Sequence, residues 1–123
     1  IPVKLVESGD SYIQECSATY QLLCQELGIS AETDAVLCFQ SKFGKAKWVE
    51  PATEVVTKGL AANGVKTLDV ICPGFVSDCL ETLEEVAIQY HDLFIQSGGT
   101  KLNYISCLND NQDLIKILSD LSQ

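Results

Sequence analysis

Two glutamates four positions apart, Glu81 and Glu85, are the side chains in this sequence best spaced to do chemistry. Carboxylates at that spacing on one helix can hold a hard or borderline cation, or carry protons to and from a substrate. Their mutual repulsion would raise the pKa of one of them, which suits a proton acceptor. On spacing alone a plainer reading is preferred: Glu81 closes a D-x-x-E capping box headed by Asp78, and Glu85 is a surface side chain. Trp48, in a loop with Phe43, could stack on a flat ring or could simply pin that loop to the domain. His91 is the only histidine, and it falls on the polar side of its helix, where it reads as solvent-facing. A Ser-His or Cys-His nucleophile pair within this segment is therefore not expected.

These residues need elements to hold them. Cys72-Pro73-Gly74 ends a short apolar run and forces a turn, after which a long helix begins near Asp78 and reaches about Gln96. Val76, Leu80, Leu83, Ala87, Tyr90 and Phe94 form its apolar stripe, and Glu81 and Glu85 lie about 150° or more from the middle of that stripe. Such a face looks at water or into a cleft.

Upstream, residues 10–27 read as a helix stopped by Gly28, with Tyr12, Ile13, Cys16, Tyr20, Leu23, Cys24 and Leu27 on one face. Ala35–Phe39 has the length of a strand. Gln40–Glu50 is a lysine-rich loop, and Pro51 opens a helix that ends at Asn63-Gly64. Val65–Cys72 and Leu102–Ser106 are further strands. Asn109 or Asp110 caps a last helix that buries Leu114, Ile117, Leu118 and Leu121.

Strands alternating with helices predict an α/β fold: a parallel sheet of three strands, covered on both faces. The first helix has no strand ahead of it, so a fourth strand is expected just before Ile1. In such sheets ligands bind beyond the carboxyl ends of the strands. That directs attention to Gln40–Trp48, Pro73–Asp78 and Cys107–Asp110.

The chain has 123 residues, enough for one domain, and 46% hydrophobic content supports an ordinary core. A formal net charge of −9 opposes nucleic-acid binding, with Lys42, Lys45 and Lys47 read as a solvated loop. No apolar run is long enough to span a membrane, and no leader is evident. The absence of any Met fits a segment of something longer. The six cysteines form no C-x-x-C or close ligand cluster and read as buried thiols in a reducing cytoplasm. G-x-G-x-x-G, the Walker loop and G-x-S-x-G are all absent.

Four separated motifs then carry a resemblance. CPGFVSDCLETLEE (Cys72–Glu85) is similar to the signature of bacterial ferrochelatases, which insert ferrous iron into protoporphyrin IX. FQSKFGKAKWVEPATE (Phe39–Glu54) resembles the family's FQSRFG…W…P.T segment, Gly9-Asp10-Ser11-Tyr12 its GDPY, and Cys107-Leu108-Asn109 its S/A-LN. Order and spacing hold from Ile1 to about Gln123. The resemblance implies two Rossmann-like halves with a porphyrin cleft between them, and this chain, 1–123, as the C-terminal domain without its first strand. The family's S-x-H-G histidine would stand immediately before Ile1.

By position, Glu81 matches the acid paired with that histidine, and Glu85 the next acid on a route for metal or protons. Gln89 stands where several relatives have a third acid, and Cys79 where some have His. Trp48 matches the cleft tryptophan, Gln40 and Ser41 belong to the loop at the porphyrin edge, and Phe43 is placed there with them. The resemblance also implies a partly π-helical segment after the CPGF turn, ferrous iron as substrate, and no iron–sulfur cluster in this chain. Its implied partners are protoporphyrin IX and the N-terminal half of the same enzyme. The location it implies is cytoplasmic, with a peripheral place on the inner membrane as the alternative. The segment alone is expected to be inactive. Two other readings remain open: a non-catalytic porphyrin-binding or interaction module, and an unrelated α/β regulatory domain.

Overall fold

The computed structural model describes residues 1–41 and 45–122, and the chain divides into two compact units, Ile1–Val56 and Thr57–Gln123. The first unit begins with a short helix, α1 (Val3–Glu7), over residues whose sequence carries no clear period. Helix α2 (Tyr12–Leu27) follows the pattern predicted for it. One N–H of its first turn is satisfied by Asp10, whose Oδ1 accepts the Tyr12 N–H at 2.8 Å. Gly28 ends it in the left-handed region at φ 67, where a Cβ would be disfavoured. Ile13, Cys16, Tyr20, Leu23 and Cys24 are at least half-buried, whereas Tyr12 and Leu27, at its two ends, are exposed.

The expected strand over Ala35–Phe39 does not form. Phe39 makes one isolated bridge with Ala52: its N–H donates to the Pro51 carbonyl, and its carbonyl accepts the Thr53 N–H, both at 2.9 Å. Phe39, the last residue of the run, thus finds its backbone hydrogen bonds in the chain that follows it and not in a sheet. Helix α3 (Thr53–Ala62) starts two residues beyond Pro51 and ends, as predicted, before Gly64, whose φ is 91.

In the second unit β1 (Thr67–Val70) and β2 (Lys101–Tyr104) pair in parallel, with Thr67 opposite Lys101 and Val70 opposite Tyr104. The sheet described is thus two-stranded, smaller than the three strands expected, and both strands are shorter than their apolar runs. Between the strands the chain forms a π-helix (Glu81–Tyr90) and then helix α4 (His91–Gln96). Phe94 of α4, fully buried, packs with Ala61 and Leu102, and Val65, Leu68, Val70 and Tyr104 close around them.

The π-helix overturns the predicted stripe. Its buried side chains are Thr82 and Val86, with Phe94 following in α4, while Leu80 and Leu83 are 74% and 50% exposed. The predicted stripe assumes about 100° per residue, and a backbone bonded i→i+5 turns through less per residue, so the buried face departs from it. Helix α5 (Gln112–Leu121) is capped by Asn111, whose side chain accepts the Asp113 N–H, and not by Asn109 or Asp110. Leu114 is half-buried, but Ile117, Leu118 and Leu121 are exposed, contrary to expectation. The amphipathic pattern fixes which face of α5 is apolar; burial needs a second surface, and α5 packs on no other described element of this unit extensively.

Gly99 follows α4 where the chain turns back over the core, and a Cβ there would fall inside the Phe94 ring. Gly99→Ala should therefore destabilise the protein by about 1–3 kcal/mol through overpacking. Chemical denaturation of wild type and variant checks this; equal stability would mean that the Phe94 ring has room to move.

Candidate functional site

The strand ends supply the frame. The Cys72–Phe75 turn after β1 is closed by the Phe75 N–H donating to the Cys72 carbonyl at 3.1 Å. Three residues further on, Asp78 gathers polar groups from both strand-end loops. Its carboxylate Oδ1 accepts the Tyr104 hydroxyl at 2.5 Å and the Thr82 hydroxyl at 3.0 Å, and Oδ2 accepts the Asn109 side-chain amide at 2.9 Å. In return the Asp78 backbone N–H donates to Asn109 Oδ1 at 2.8 Å. Asn109 adopts φ 51, a left-handed conformation that Asn tolerates better than most residues, and its own N–H reaches the Val76 carbonyl.

The expected capping box is therefore not made in that form. The Asp78 N–H, which Glu81 was to satisfy, is taken by Asn109, and the Asp78 carboxylate faces Thr82. Thr82, fully buried, takes over the cap: its hydroxyl oxygen accepts the Cys79 N–H at 3.0 Å. The hydrogen bonds from Tyr104 and Asn109 hold the Asp78 carboxyl well below the usual aspartate range. Burial first, and then the bond to Asp78, push the Tyr104 phenol upward.

Glu81 opens the π-helix and is half-buried. The Cys79 thiol bonded to its carboxylate, together with its own backbone N–H, lowers its pKa, while burial acts the other way. A local donor decides the shift at Glu81, repulsion from Glu85 is not among its causes, and Glu81 stays ionised. Glu85, also half-buried, accepts the Tyr90 hydroxyl on Oε1 at 2.8 Å. That pairing reports the helix type directly. Residues five apart point about 140° away from each other on an α-helix, whereas i→i+5 bonding brings them to adjacent turns. Gln89 is exposed, one further step along.

The other candidates lie in the first unit. Gln40 and Trp48 line one cavity of about 90 Å³ with Phe39, Lys47, Val49, Glu50 and Ala52. The backbone of Trp48 is pinned, as the plainer reading has it, in an antiparallel bridge to Pro2, with the Val3 N–H on the Lys47 carbonyl and the Val49 N–H on the Ile1 carbonyl, and the residue lines the cavity. A drug-sized ligand needs roughly 300–1,000 Å³, far more than this cavity holds. Ser41 has φ 64 and lies beside Gln40, whose Nε2 is 3.4 Å from its hydroxyl. Phe43 lies outside the described residues.

His91 sits beside Asp92 with its side chain 41% exposed, as its place on the polar side requires. No group of three or more His, Cys, Asp or Glu among the described residues is arranged as a metal cage. No helix among them is long and apolar enough to cross a membrane. All six cysteines are free thiols. Asp78, Thr82, Tyr104 and Asn109 form the polar centre that sequence reasoning missed. The available signal was the closeness of Asp78 and Asn109 to the carboxyl ends of adjacent parallel strands.

Together these features define an α/β module whose polar groups collect beyond the carboxyl ends of a parallel sheet, at the head of a π-helix. The ferrochelatase family model matches residues 1–123. The chain is 47% identical over 123 residues to a ferrochelatase of Herminiimonas arsenicoxydans, covering 100% of this chain and 33% of that protein. It is 45% identical over 122 residues to one of Methylibium petroleiphilum, covering 99% and 33%, and 43% identical over 121 residues to one of Vibrio atlanticus, covering 98% and 38%. The chain belongs to the ferrochelatase family, and it spans about a third of the length of these curated relatives.

Cys79→Ala removes the main donor to the Glu81 carboxylate, so the Glu81 pKa should rise toward the ordinary value of about 4.3. Carbon-13 NMR titration of the Glu81 carboxyl reads this directly. In wild type the depressed pKa adds stability that is present above pH ~4.3 and lost as the pH falls through the folded value; the variant should lose less over that interval. An unchanged Glu81 titration would assign the shift to the backbone donor.

Proposed function

We propose that this chain is the C-terminal, Rossmann-like half of a bacterial protoporphyrin ferrochelatase, a lyase that inserts ferrous iron into protoporphyrin IX and so forms protoheme in heme biosynthesis. The rest of the parent protein supplies a further strand, the histidine and the N-terminal half that faces this one across the porphyrin. The observation that carries the reading is the π-helix: it bears Glu81 and Glu85, both half-buried, and follows the CPGF turn at the carboxyl end of β1 in a chain of this family.

Physically, metal insertion must remove two pyrrole N–H protons and deliver a divalent cation to the ring. Glu81, kept ionised by the Cys79 thiol, is in the form that accepts a proton or attracts a cation. Glu85 is the next carboxylate along, oriented by Tyr90, and relays metal or protons toward it. The macrocycle is a flat apolar disc, and Trp48, Gln40, Ser41 and Phe43 form its contact edge, with Trp48 stacking on the ring. Iron is substrate here. No iron–sulfur cluster is assigned to this chain. The parent works in the cytoplasm, at or near the inner-membrane surface.

Two variants of the parent protein test the reading. Glu81→Gln should lower iron or zinc insertion by at least about a hundredfold while porphyrin still binds, in line with the loss of a general base. Trp48→Ala should abolish the porphyrin-induced Soret shift. Wild-type turnover in Glu81→Gln would remove that residue from the mechanism, and porphyrin binding without turnover in the wild-type parent would favour a non-catalytic porphyrin-binding module.

A further inference from the structure

The Asp78 carboxylate gathers side-chain donors from the π-helix, from β2 and from the loop after β2. Oδ1 takes the Tyr104 hydroxyl from the last residue of β2 and the Thr82 hydroxyl from the first turn of the π-helix. Oδ2 takes the Asn109 amide from the loop after β2, and a longer contact of 3.4 Å runs from the Cys107 N–H to Oδ1. Thr82 directly follows Glu81, and the Cys79 residue that Thr82 caps is the one whose thiol bonds the Glu81 carboxylate. Glu81 is thus bracketed on both sides by residues whose backbone or side chain depends on this one carboxylate. The Cys79 carbonyl also receives the Thr82 and Leu83 N–H groups at 3.2 and 2.8 Å, so the peptide before Glu81 is fixed from above and below.

We propose that Asp78 is a positioning residue for metal insertion: by tying Tyr104, Asn109 and Thr82 together, it sets the direction in which the Glu81 carboxylate leaves the head of the π-helix. In this role Asp78 acts through Glu81 and not on the substrate or metal directly. This rests on the reading of Glu81 as the proton- or metal-handling group. The physical argument is geometric. Thr82 is fully buried and cannot swing out, so its hydroxyl transmits the position of the Asp78 carboxylate to the residue next to Glu81. Tyr104 is fixed in turn by β-pairing with Val70, which refers the helix head to the sheet. A displacement of about 1 Å at a reacting group can cost on the order of a hundredfold in rate.

The test uses the full-length parent protein with iron or zinc insertion as readout. Asp78→Asn keeps the shape and removes the charge; Tyr104→Phe removes one hydroxyl from the same oxygen. Asp78→Asn should lower kcat about tenfold or more, and Tyr104→Phe about threefold, each with the porphyrin KM within about twofold of wild type. The double variant should be no slower than Asp78→Asn alone, because both changes break one link. A role in stability only would lower the fraction folded and leave the kcat of the folded enzyme unchanged.

Wild-type kcat in Tyr104→Phe, or effects that multiply in the double variant, would overturn the proposal. If Asp78→Asn does not fold, Tyr104→Phe decides alone by its kcat. Glu81→Gln is measured alongside. Full turnover in that variant would sink the Glu81 reading and this inference with it, whereas an inactive Glu81→Gln beside a fully active Asp78→Asn would sink the positioning role only.

Discussion

The backbone from Glu81 to Tyr90 bonds i→i+5, and the arrangement of the carboxylate face follows from that register. A π-helix is rare because its hydrogen-bond geometry is poorer than that of an α-helix, and it recurs at functional sites. In this chain it does one thing an α-helix of the same sequence would not: it brings Tyr90 within hydrogen-bonding distance of Glu85. Glu85 is then held by a donor five residues on, while Glu81 is held by one two residues back, in Cys79.

Something must hold the head of such a helix, and the polar centre around Asp78 does so. A carboxylate that accepts three side-chain donors is satisfied in a way that a solvated surface aspartate is not, and the depressed Asp78 pKa is the thermodynamic sign of it. The parallel pairing of β1 and β2 places their following loops side by side, which is why residues 26 and 31 positions apart in sequence can meet at one carboxylate. Phe94, Ala61 and Leu102 lie beneath as the apolar anchor. The Trp48 cavity in the other unit rests on different physics: two isolated backbone bridges, Pro2 with Trp48 and Phe39 with Ala52.

Much of this was legible in the sequence, for identifiable reasons. Helix α2 and its Gly28 stop could be read because period, cap and breaker agree at every level. The importance of the loops after β1 and β2 followed from a general rule about parallel sheets. Ala35–Phe39 was misread because an apolar run states a preference for burial but not a partner. The stripe on the long helix was misread because its positions were projected at the α-helical angle, and Leu80 and Leu83 came out exposed. Resemblance to the family supplied the π-helix, which periodicity had not. The Asp78 centre was hidden for another reason: its members come from three separate segments, and only pairing of the strands brings them together.

The central claim is that Glu81 and Glu85, on this helix, line the pocket of a tetrapyrrole. A crystal structure of the full-length parent protein with a protoporphyrin bound tests it most directly. The expected result is a macrocycle with the Glu81 carboxylate facing its central nitrogens and Glu85 behind it. A porphyrin bound elsewhere, or a Glu81 carboxylate covered by protein with no groove in front of it, would contradict the account.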